Sequence, residues 1–221
     1  GEHVVLPDPR QAPSPADPQT DMLHPSRSLA YLAAVTKTLK FGTGITLIAQ
    51  RNPLVLAKEI SSLDVLSNGR LLFGVGAGYL HQEFAALGVD FASRGARTDE
   101  YIDVLRNMWR AEKPSFQGKY INDENIDAQP RPVQPDGPPV IIGGASPAAM
   151  RRTITHGDGW YGFAMDVDGA RDYVKRIGEL ALEVERPAEL GELEITITPP
   201  PGPFDADLIG RFADAGVHRL V

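Results

Sequence analysis

Three short segments of this 221-residue chain combine residue types that could do chemistry. His3 follows Glu2 in the strand-like run Glu2 to Leu6, and an imidazole titrating near neutrality suits general acid or base work. A hydrogen-bonded, non-catalytic histidine is the alternative at that position, and it applies more strongly to His24, His81, His156 and His218. In RLLFGVGAGYLHQEF an apolar run ends in Gly74, Gly76 and Gly78 before a helical stretch opens. That spacing either lets backbone approach a planar ring or a phosphate, or makes a tight structural turn. It is not the dinucleotide fingerprint, because Tyr79 stands where the last glycine of G-x-G-x-x-G belongs.

The segment PPVIIGGASPAAMRR runs a buried-type strand into Gly143, Gly144 and Ala145, with Ser146 able to cap a helix whose first turn holds Pro147. Backbone amides at such a helix start form an anion site. Arg151 and Arg152 in the second turn fit a bound phosphate or, equally, a surface arginine pair. In FGTGITLIAQRNP, Gly42 and Gly44 interrupt a β-branched run, which marks a bulge, a close approach or a packing accommodation.

Stepping outward, strand-like runs at Glu2 to Leu6, Lys40 to Ala49, Arg70 to Val75, Pro139 to Ile142, Gly159 to Phe163, Leu193 to Thr198 and Val217 to Val221 alternate with helical periodicity. The helical stripes include Leu56, Ile60, Leu63; Tyr101, Val104, Leu105, Met108; Val174, Ile177, Ala181; and Leu208, Phe212, Ala215. Asn52 before Pro53 marks another helix start. Strand then helix, repeated, predicts an α/β fold with a parallel sheet and right-handed crossovers. Six consecutive βα-like units favour a (β/α)8 TIM barrel, about 250 residues when complete. A single domain over 1–221 is expected, incomplete at both ends: the first βα unit and the last helix are not seen. The proline-rich stretches Leu6 to Pro25 and Pro114 to Gly137 are unreadable and are where barrel specificity would vary.

Composition narrows the chemistry. A net charge of -7 with scattered Lys and Arg disfavours nucleic acid. No apolar run of about 18 residues suggests a membrane span, and the start lacks a basic signal-peptide region. The absence of cysteine removes disulfides and thiolate chemistry and fits a cytoplasmic location. No histidine pair has metal-ligand spacing and no G-x-S-x-G elbow occurs. None of the six lysines ends a strand, where a Schiff-base amine should sit.

Read in order, GEHVV, FGTGITLIAQRNPLVLAKEISSLDVLSNGRLLFGVGAGYLHQEF, RGARTDEYIDVLRNMW and PPVIIGGASPAAMRR…GDGWYGF resemble the luciferase-like monooxygenase family over nearly the whole chain. The resemblance implies a bacterial-luciferase-like barrel holding a flavin-type cofactor at its C-terminal mouth. Gly143, Gly144 and Ala145 would meet the phosphate, and the position matching a non-proline cis peptide of the family is Gly44 to Ile45. Gly76, Ala77, Gly78 and Tyr79 would line the mouth, with Gln82 beside them. The subgroup flavour is that of oxidoreductases using the deazaflavin coenzyme F-420 (F420), with FMN as the alternative. His3 would handle the proton that accompanies hydride transfer, Glu83 is the second acid candidate, and Arg51 a contact for acidic groups. The family's sugar-phosphate dehydrogenases carry an acid straight after G-V-G-x-G; Tyr79 departs from that pattern, which argues against the same sugar substrate. A homodimer acting on a small organic molecule is implied. The rival readings are an FMN-dependent monooxygenase and a barrel that binds cofactor without turnover.

Overall fold

The computed structural model describes residues 2–221, and the chain falls into two compact units divided between Pro138 and Pro139. The first unit contains α1 (Pro25–Val35), β1 (Phe41–Gly42), β2 (Thr46–Leu47), α2 (Pro53–Ser67), β3 (Leu71–Gly76), α3 (His81–Ala86), α4 (Arg94–Arg110) and a hairpin of β4 (Phe116–Gln117) and β5 (Asn122–Asp123). β1 and β2 both run parallel to β3, with Phe41 opposite Leu71 and Thr46 opposite Val75. The run expected as one strand from Lys40 to Ala49 is therefore two short ones. Between them the Gly44–Ile45 peptide is cis, and a 3-10 turn over Ile48–Gln50 follows.

Local chemistry explains where α2 starts and stops. Asn52 accepts from the amides of Leu54 and Val55, and Pro53 fills the first turn, where its missing N–H costs nothing. Leu56, Ile60 and Leu63 face inward at 2% exposure each. The helix ends where Asn68 (φ 56°) and Gly69 (φ 73°) turn left-handed, and the Gly69 amide returns to the Asp64 carbonyl. Arg70 then binds the carbonyls of Ala33, Thr36 and Leu39, tying down the end of α1.

Two sequence expectations differ here. Glu2 to Leu6 forms no strand, because side chains take the places of ladder partners: the Val4 amide donates to the Glu83 carboxylate, and the Leu47 amide donates to that of Glu2. The stretch from Pro114 to Gly137 has order of its own. Glu100 accepts the amides of Lys119, Tyr120 and Ile121 at the hairpin turn, and fully buried Asp64 accepts those of Val133 and Gln134.

The second unit is a parallel ladder, β6 (Val140–Gly143), β7 (Gly159–Phe163), β8 (Glu194–Thr198) and β9 (Arg219–Leu220), with α5 (Pro147–His156), α6 (Val167–Leu180) and α7 (Ala206–Asp214) between successive strands. Ser146, Asp166 and Asp205 cap the three helices, each accepting an amide of the first turn. The buried face of α6 is Val167, Ala170, Tyr173 and Ile177, rotated from the predicted Val174, Ile177, Ala181. Tyr173 turns inward because it stacks on buried Trp160 with ring centroids 3.4 Å apart, while Ala181 is only the cap. Among the described residues, no helix is long and apolar enough to cross a membrane.

Candidate functional site

Glu83, in the first turn of α3, is 1% exposed and receives three donors. The Val4 amide reaches Oε1 at 2.6 Å, while Gln50 Nε2 and His3 Nδ1 reach Oε2 at 3.0 and 3.1 Å. Burial pushes its pKa up, but the bonds from His3, Gln50 and Val4, with the charge His3 can carry, outweigh that and hold it below the usual carboxylate range. Glu83 is therefore an ionised acceptor. The other nitrogen of His3, Nε2, lies 3.5 Å from the Tyr79 hydroxyl, and the two rings meet edge-on with centroids 5.8 Å apart. Tyr79 is 44% exposed; desolvation and the nearby Glu83 charge both raise its pKa, so it remains a protonated phenol.

Sequence elements far apart assemble this cluster. Gln50 comes from the 3-10 turn after β2, and Glu83 and Tyr79 come from the segment after β3. The His3 segment is stitched to both sides, through Glu2 to the Leu47 amide and through Val4 to Glu83. The glycines of β3 and of the turn after it make room for this packing. A side chain at Gly74 would strike the Thr43 carbonyl oxygen, one at Gly76 would strike the end of Ile45, and one at Gly78 (φ 83°) would lie 2.7 Å from the Phe84 ring. Ala77 is half-buried beside them, Gly44 is exposed and Ile45 half-buried. Gln82 donates to Gln11 at 2.9 Å, fastening the proline-rich segment ahead of α1.

The acidic groups that Arg51 meets within the described residues belong to the chain itself. Arg51 pairs with the buried Glu2 carboxylate, donates to His24 Nε2 at 3.1 Å and stands 4.0 Å from Glu59. Desolvation lowers its pKa against the opposing pull of Glu59 and Glu83. Sequence reading missed the roles of Glu2 and Gln50. The available signal was their position, Glu2 beside the histidine and Gln50 immediately before R-N-P.

In the second unit, Gly143 closes β6 as a buried residue, and Gly144 (φ 98°), Ala145 and Ser146 are exposed at the head of α5. The Gly144 carbonyl accepts from Trp160 Nε1 at 2.8 Å, which fixes the loop against the strand. A first-turn amide of a helix carries partial positive charge, so this turn suits an anion. Arg151 is exposed and Arg152 buried, so the two do not form the surface pair that the sequence suggested.

Parallel strands joined by helices in each unit, with glycine-rich turns and, in the first, the His3 cluster, define an α/β protein. The chain belongs to the luciferase-like monooxygenase family, whose model matches residues 2–201, and its fold is the bacterial-luciferase-like (β/α)8 class that the sequence implies. An uncharacterized protein of Mycobacterium tuberculosis is 30% identical over 229 residues, covering 100% of this chain and 79% of that protein. An F420-dependent hydroxymycolic acid dehydrogenase from the same organism is 30% identical over 158 residues, 70% of this chain and 43% of that one. Among solved structures, the monooxygenase RslO1 from Streptomyces bottropensis is 26% identical with a TM-score of 0.68, over 79% of this chain. The chain spans 54% of the RslO1 chain, about half its length.

Proposed function

We propose that this chain belongs to an oxidoreductase that transfers hydride between the deazaflavin F420 and a small organic substrate, with His3 handling the accompanying proton. The observation that carries the reading is the His3 ring, held from Nδ1 by a buried carboxylate and presenting Nε2 to the exposed Tyr79. The likeness to an F420-dependent dehydrogenase supports the cofactor class. When bound, the deazaflavin supplies the hydride.

The residues fit such a group. Gly144 adopts φ 98°, where an L side chain is strained, and a Cβ there would stand 3.4 Å from Ala149; together with Gly143 and Ala145 it leaves the head of α5 bare for a phosphate. Gly44, Ile45, Gly76, Ala77, Gly78 and Tyr79 would meet the ring portion, with Gln82 holding the neighbouring segment. His3 would accept or donate at Nε2, and the Tyr79 phenol, kept neutral, is its partner on the solvent side. A homodimer belongs to the same reading, since Tyr31, Val35, Val55 and Leu66 leave apolar surface exposed on α1 and α2.

The likeness to the monooxygenase RslO1 favours a second reading, a monooxygenase, for which FMN is the alternative cofactor. Titration with deazaflavin and FMN separately, followed by fluorescence, distinguishes them. Deazaflavin binding that Gly143→Asp abolishes by charge repulsion is expected. Preference for FMN would replace the first reading with the second, and binding of either without turnover would make the chain a cofactor-binding barrel.

A further inference from the structure

Both oxygens of Glu83 are engaged, Oε1 by Val4 and Oε2 by His3 and Gln50, and the carboxylate is 1% exposed. With its side chain 0% exposed, the carboxylate presents no surface to a bound molecule. An ionised carboxylate only accepts, so the nitrogen facing it must carry hydrogen. We propose that Glu83 and Gln50 are positioning residues that together keep hydrogen on Nδ1 of His3, so that the proton exchanged with a bound molecule always sits on Nε2. The inference rests on the reading of His3 as the proton-handling group and assigns Glu83 a supporting role instead of an acid's.

Gln50 suits this task because it is neutral. Its amide adds a donor to the same oxygen that receives His3, which keeps Glu83 ionised without cancelling the negative charge that orients the imidazole. A cation in its place would compete with His3 for that charge. The nearby cation, Arg51, is directed elsewhere, into Glu2 and His24, and reaches Glu83 only through its field. The titratable groups facing His3 are Glu83 on α3 and Tyr79 ahead of it. His81, which opens α3 two residues before Glu83, is engaged with Phe91, their ring centroids 3.4 Å apart.

The test is the 15N spectrum of the His3 imidazole in the ligand-free chain, recorded for wild type, Glu83→Gln and Gln50→Met, together with a carboxyl 13C titration of Glu83. Wild type should show the neutral ring as a single tautomer protonated at Nδ1. Glu83→Gln should show both tautomers, because an amide can donate or accept. Gln50→Met, nearly isosteric, should raise the Glu83 midpoint by roughly one pH unit, the loss of one hydrogen bond to the charged form. A wild-type ring protonated at Nε2, a Glu83→Gln ring still in one tautomer, or an unmoved Glu83 midpoint in folded Gln50→Met would each overturn the assignment. All three are read without cofactor. A chain that binds deazaflavin with the wrong tautomer sinks this inference alone, and one with the expected tautomer and no cofactor binding sinks the functional reading alone.

Discussion

The Val4 amide and the Glu83 carboxylate, 79 positions apart in sequence, meet at 2.6 Å and close the His3 segment onto α3. Because Glu83 titrates below its unfolded value, the stability it contributes is fully present above the ordinary carboxylate range and is lost as pH falls through its folded pKa. Glu83→Gln should therefore cost about 1–3 kcal/mol at neutral pH, the price of weakening a buried charged acceptor. Urea unfolding of both proteins from neutral to acid pH should show the gap closing as wild type acidifies; a constant gap would mean that Glu83 does not titrate as the geometry requires.

Tyr79→Phe separates function from folding. The phenol is partly exposed and its only bond among the described residues is the long one to His3, so stability should change by less than about 0.5 kcal/mol. Turnover should fall roughly tenfold, less than the roughly hundredfold or more that a direct proton donor contributes, because Tyr79 partners His3 and does not itself supply the proton. Unchanged kcat would remove Tyr79 from the proton path.

Asp64 is a structural pin. It is fully buried and accepts from the amides of Val133 and Gln134 and from the Gln134 side chain. Asp64→Ala strands those donors and should cost roughly 2–4 kcal/mol, seen as a lower urea midpoint. Proteolysis should then begin between residues 124 and 138. A variant as stable as wild type would show that water replaces the carboxylate.

Ser146→Ala should lose about 1 kcal/mol, the usual worth of an N-cap, through the bond that its hydroxyl accepts from Ala149. The same substitution should leave cofactor affinity within about twofold if, as proposed, backbone amides meet the phosphate. A large loss of affinity would place the hydroxyl itself on the ligand.

The alternation of strand and helix was legible because apolar periodicity survives tertiary packing, as the buried Tyr101, Val104, Leu105 and Met108 of α4 show. The caps at Asn52 and Ser146 were legible because capping is local. Glu2 to Leu6 was misread because its β-like pattern says nothing of what pairs with it: the Val4 amide meets the carboxylate of remote Glu83, and the segment's own Glu2 carboxylate meets the Leu47 amide. The same limit hid the role of Gln50: a glutamine in a turn looks ordinary until Glu83, 33 residues on, lies opposite. One of the runs that carry the family resemblance, Asp64 to Arg70, proves to be joinery between α1, α2 and the segment at Val133 and Gln134, with no part in the His3 cluster.

Gly76 and Ile45 occupy one volume between them, since a methyl group at the first would fall on the end of the second. Their side-chain sizes are consequently coupled: Gly76→Ala alone requires the terminal carbon of Ile45 to swing aside, whereas after Ile45→Val that atom is gone. Substitutions at the two positions should therefore be non-additive, and a double-mutant cycle of Gly76→Ala with Ile45→Val measures the coupling.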